Sequence, residues 1–147
     1  MKITGTLKAG LVLLTIWSVL EIVVAAYVTV MTLAGKVPPA LALLVSPEKI
    51  PTIDANAIAV IHTQAAIANP CIIAVFVLVL ALAWRCIAQG QRWAFWLLVG
   101  VLAPLQGFAF ASDAFLDHHN LAANLASTGF LFAALSLCGI GLYRRAG

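Results

Sequence analysis

Apolar residues fill four long stretches of the chain, and the short segments between them carry most of the charge, proline and histidine. The first stretch, Leu11 to Leu33, runs for about 23 residues without a lysine or arginine, the length a hydrocarbon core of about 30 Å requires of a helix. The pattern predicts helices over about 8–34, 55–84, 93–112 and 121–143. All four runs are continuous and rich in Leu and Ala, whereas a membrane barrel shows alternating segments of about ten residues. The expected fold is therefore an all-α integral membrane protein, a single domain over residues 1–147 built as a four-transmembrane-helix bundle with short loops.

The breaks are as informative as the runs. Pro38, Pro39, Pro47 and Pro51 exclude a continuous helix through 35–54, which reads as a proline-rich loop with Leu41 to Val45 resting on the lipid headgroups. Pro70, inside the second run, is expected to kink it. Arg85 to Arg92 forms a polar turn, and Ser112 to Asn120 an acidic, histidine-bearing loop. Lys2 and Lys8 precede the first run as in a signal anchor; apolar residues continue past the small-residue triplet Val24-Ala25-Ala26, so the segment is expected to stay as the first helix.

Composition narrows the class. At 64% hydrophobic and 9% charged residues, the chain lies far from the roughly 25% charged of soluble domains. Lys2, Lys8, Arg85, Arg92, Arg144 and Arg145 fall on one side of the helices, against Lys36 and Lys49 on the other. Under the positive-inside rule this asymmetry puts both termini in the cytoplasm, as in a bacterial inner-membrane protein, and both longer loops on the outer face. The net charge of +3 is thus a topology signal, and no nucleic-acid partner is expected. Cys71, Cys86 and Cys138 form no CxxC pair, which argues against thiol-exchange chemistry and for packing roles.

Within this apolar frame Glu21 stands out. An acidic group at mid-bilayer costs roughly 2.5–3.5 kcal/mol on insertion scales and is expected to face protein or water with a partner. Depth can be counted from the nearest basic residue at about 1.5 Å per helical residue. Glu21, Asn69, Gln106 and Thr128 then lie roughly 20–24 Å in, one from each helix, while His62, Asp113 and Asn124 lie roughly 30–35 Å in. Rotation agrees with depth. Ser18, Glu21, Ala25, Thr29 and Thr32 share one face of helix 1; His62 and Asn69 are seven apart, as are Gln106 and Asp113; Asn120, Asn124, Ser127, Thr128 and Leu131 continue one face of helix 4. Trp17, one turn before Glu21, is placed to line the same space. These stripes predict an intramembrane polar pocket centred on Glu21 and open to the outer face. Single Ser, Thr, Asn and Gln residues also serve as plain interhelical hydrogen bonds in membranes, at about 0.6 kcal/mol each.

Three functions fit. The first is a protein that binds or carries a small lipophilic or cationic molecule against Glu21, with Trp17, Asn69, Gln106, Asn124 and Thr128 lining the pocket. The second is a membrane-embedded acid/base enzyme of isomerase, epoxide-opening or cyclase type, with Glu21 as proton donor and Asp113 or His62 as acceptor. The third is an accessory subunit whose polar stripes meet another membrane protein or a second copy. His62, Asp113, Asp117 and His119 have the side-chain types of metal ligands but match no dense motif, and a haem held by two histidines would need the outer loop; neither metal nor cofactor is expected.

Overall fold

The computed structural model describes residues 3–36, 49–116 and 121–144, and among these every regular element is helical. Helix α1 spans Gly5–Leu33, α2 Ala55–Leu82, α3 Arg92–Leu116 and α4 Leu121–Tyr143. A single 3₁₀ turn, Ile50–Thr52, precedes α2. All four helices are long and apolar enough to cross a membrane. The bundle has a basic end, where Lys8, Arg85, Arg92 and Arg144 sit, and a far end carrying Lys36, Lys49 and Asp54.

Local chemistry sets the helix boundaries. Thr4 caps α1, its hydroxyl oxygen accepting from the Leu7 amide at 3.3 Å. At the other end Gly35, with φ 66°, lets the Gly35 and Lys36 amides turn back onto the carbonyls of Thr32 and Met31. The same closure recurs after α2. There the helix does not stop at Trp84, as the sequence predicts, but widens into a π-helical turn over Ala83–Ile87. Its wider ring is seen in the Ala88 amide, which donates to the Ala83 carbonyl five residues back at 2.9 Å. The chain reverses only at Gly90, φ 91°, with the Gly90 and Gln91 amides on the Ile87 and Cys86 carbonyls. Neither glycine nor proline lies between Cys71 and Gln89, so nothing in the sequence breaks the helix earlier. For the same reason α3 passes the predicted boundary and runs on to Leu116.

Helix α1 is the centre of the bundle. It packs along much of its length against α4 on one side and α2 on another; α3 leans on α4 and meets α2 mainly around the turn that joins them. The order across the bundle is thus α2, α1, α4, α3, a layer folded over rather than a closed ring. Close approach of α1 and α4 depends on small residues. A Cβ on Gly10 would lie 2.5 Å from the Cys138 amide nitrogen, and one on Gly141 would lie 2.5 Å from that of Leu7.

The core is concentrated in the basic half. Leu7, Leu11, Leu14 and Trp17 from α1 meet Phe76, Val79 and Ala83 from α2, Phe95, Leu98 and Leu102 from α3, and Leu131, Ala134 and Cys138 from α4. Outward-facing apolar residues such as Val23, Val30, Phe108 and Phe132 remain exposed, in keeping with helices apolar enough to cross a membrane. Aromatics ring the basic end: the Trp84 indole donates to the Thr15 hydroxyl at 2.9 Å, that of Trp96 to the Tyr143 hydroxyl at 2.9 Å, and Arg92 lies 4.7 Å over the Tyr143 ring. Such belts mark a membrane–water boundary.

Candidate functional site

Polar side chains begin where the core ends. Trp17 is the last large core residue of α1, and its ring stands edge-on to Phe76 with centroids 5.1 Å apart. Its indole N–H donates to the Ser127 hydroxyl on α4 at 2.9 Å, and that hydroxyl donates in turn to Glu21 Oε1 at 3.3 Å. Spacing explains the triad: Trp17 and Glu21, four apart on α1, share one face, and Ser127 is the α4 residue that meets it. A hydroxyl has one hydrogen and two lone pairs, so Ser127 can accept from the indole while donating to the carboxylate. Glu21 is half-buried, and among the described residues no cation pairs with it.

A second polar cluster joins α3 to α4. Gln106, 9% exposed, donates through Nε2 to the Thr128 hydroxyl at 2.7 Å and to the Asn124 carbonyl at 3.4 Å. Thr128 donates to that same carbonyl at 2.6 Å, and Asn124 Nδ2 reaches the Ala109 carbonyl at 3.4 Å. Between α3 and α4 a groove of about 300 Å³ opens beside this cluster, with Ala103, Gln106, Gly107, Thr128, Leu131 and Phe132 among its walls.

The residues singled out by sequence thus separate into groups. Trp17 and Glu21 meet at the α1–α4 contact, while Gln106, Asn124 and Thr128 meet at the α3–α4 contact. Asn69 turns back onto its own helix, donating to the Ala65 carbonyl at 2.8 Å one turn before Pro70. His62 is half-buried in the first third of α2. The backbone of α3 carries Asp113, whose side chain lies outside the described residues, as do Asp117, His118, His119 and the loop prolines 38, 39 and 47. Among the described residues no three potential metal ligands come together.

Ser127 lies on the polar face of helix 4 that the sequence predicts, but it is not among the residues the sequence assigns to the pocket lining. The available signal was depth: counted from Arg144 it lies roughly 25 Å in, close to the tier of Glu21. Two further hydroxyls, Ser18 and Thr32, are buried on α1 with no hydrogen-bond partner for their side-chain oxygens among the described residues. No protein-family model, curated protein or solved structure matches the chain.

Proposed function

We propose that this chain is an integral membrane protein that binds a small lipophilic or cationic molecule, with Glu21 as the anchoring group. The observation that carries this reading is Glu21 itself: a half-buried carboxylate within a membrane-length helix, met by one neutral hydroxyl and no described cation. Packing alone gives no reason to place an ionisable group there, and its cost in hydrocarbon is met only by a partner. Ionised, Glu21 attracts a protonated amine; protonated, it donates a hydrogen bond to a neutral ligand. The Trp17–Ser127 pair fixes one carboxylate oxygen and leaves the other for a ligand. The densely packed basic half lies below and the polar tier above it, which favours entry from the far end. With Lys8, Arg85, Arg92 and Arg144 at the opposite end, the far end is outward-facing, both termini are cytoplasmic and the host membrane is a bacterial inner membrane.

Binding is preferred to acid/base catalysis on distance. His62 and Asp113 lie roughly 10–15 Å further along the membrane normal than Glu21, whereas a general acid or base works within about 3 Å of the proton it moves. Native mass spectrometry of wild type and Glu21→Gln in mild detergent tests the proposal. A small molecule that co-purifies with wild type and is lost from the variant is the expected result. A protein partner held equally by both, with no small molecule, overturns it in favour of an accessory subunit.

A further inference from the structure

The groove between α3 and α4 is distinct from the Glu21 site, since its walls come from those two helices alone. Hydrogen-bond accounting defines its chemistry. Thr128 commits its one hydroxyl hydrogen to the Asn124 carbonyl at 2.6 Å, so toward Gln106 it can only accept. Gln106 must therefore present its NH₂ group to Thr128 and to the Asn124 carbonyl, an assignment of the amide made by the network itself. Its carbonyl oxygen Oε1 is left without a donor among the described residues, on a side chain that lines the groove and is 9% exposed. Ser18 and Thr32 supply the only fully sealed, unpartnered side-chain atoms among the described residues, so Gln106 Oε1 retains accessible surface. An amide oxygen that faces an apolar groove without a donor is unfavourable, and a ligand that supplies one relieves it.

We propose that this groove binds a neutral lipophile bearing a hydroxyl, the apolar body lying along Ala103, Gly107, Leu131 and Phe132 and the hydroxyl donating to Gln106 Oε1. The volume of about 300 Å³ is at the lower end of small-molecule sites and suits a slim molecule. A lone amide oxygen does not compensate a full charge, which excludes an ammonium group. Depth excludes a phospholipid head: Gln106 lies roughly 21 Å from the level of Arg92, well inside a hydrocarbon core of about 30 Å. The inference rests on the membrane placement proposed above and is independent of ligand binding at Glu21.

The test uses the full chain in phosphatidylcholine vesicles with two photoactivatable probes, a long-chain primary alcohol and its methyl ether, cross-linked peptides being mapped by mass spectrometry. The alcohol is expected to label α3 and α4 peptides about three- to tenfold more than the ether, the ratio one hydrogen bond gives. Gly107→Leu should abolish that labelling by filling the groove, since Gly107 is part of its wall and a Cβ there meets nothing within 4 Å. Glu21→Gln should leave it unchanged. Equal labelling by both probes, or labelling that survives Gly107→Leu, overturns the proposal, as does a cross-linked dimer through α3 in place of probe. Carbonate extraction of the same vesicles separates the two failures: retained protein without groove labelling sinks the groove alone, whereas released protein sinks the membrane placement as well.

Discussion

The seam between α1 and α4 is the place where one methyl group should do most damage. In Gly141→Ala the new Cβ would stand 2.5 Å from the Leu7 nitrogen, 2.6 Å from its Cα and 2.7 Å from its Cβ. Ordinary contact is about 3.5–4.0 Å, so the helices must part by about 1 Å, because two of the three atoms are backbone that no rotamer can move aside. Leu7 is fully buried, and a buried leucine makes about 40–60 contacts of about 0.1–0.2 kcal/mol each, of which such a gap forfeits about a quarter to a half. Allowing for relaxation, the cost is about 2–3 kcal/mol, at the upper end of overpacking effects. Gly129→Ala is the matched control, since a Cβ there meets nothing within 4 Å.

Cys138 reports the separation directly, being fully buried in this seam while Cys71 is exposed and Cys86 partly buried. With Cys71 and Cys86 replaced by Ala, maleimide labelling of Cys138 is followed against rising dodecyl sulfate in mixed micelles. Both variants replace a helical glycine by alanine, so helix propensity cancels between them and the difference in labelling midpoint reads packing. Gly141→Ala should unfold at distinctly lower detergent than wild type, and Gly129→Ala within about 0.5 kcal/mol of it, the usual range for a surface substitution. If the two variants shift together, or neither shifts, the close approach of α1 and α4 is refuted.

Two hydroxyls make opposite predictions in the same assay. Ser127→Ala leaves the Trp17 indole without its acceptor and Glu21 without its donor, so a loss of about 1–3 kcal/mol is expected; an unchanged midpoint would show the link to be idle. Ser18→Ala removes a fully buried hydroxyl that has no partner among the described residues, and the variant should be as stable as wild type or more stable by up to about 1 kcal/mol. A clear loss there would mean that Ser18 has a partner after all.

Four membrane-length helices are legible in the sequence because the signal is mere length and apolarity, which needs no knowledge of neighbours. Boundaries are less so: Trp84 to Gln89 contains charge but no breaker, and the chain keeps helical hydrogen bonds until Gly90 supplies a left-handed turn. The aromatic belt is legible for the opposite reason, since Trp84 and Trp93 sit beside arginines in the sequence itself. The partner of Asn69 was not foreseeable from its depth. It lies on its own helix, where the side-chain amide bonds a carbonyl one turn back just before proline interrupts the ladder.

The split of the polar tier into two clusters shows where sequence reasoning reaches its limit. Depth and face place Glu21, Gln106, Ser127 and Thr128 at one level, but they do not say which helices are neighbours. Ser127 and Thr128 are adjacent, so their side chains diverge by about 100° around α4. That divergence would matter little in a closed ring with one interior. Here α4 lies between α1 and α3, and the two residues serve different contacts: Ser127 meets Glu21 across one, and Thr128 meets Gln106 across the other. The helix order follows from small residues on α1 and α4, chiefly Gly10 and Gly141, which draw these two helices together and leave α3 to the far side of α4. Two glycines with no polar chemistry of their own therefore decide how the polar residues are shared out, and Gly141→Ala should weaken the Trp17–Ser127–Glu21 link more than the Gln106–Thr128 pair.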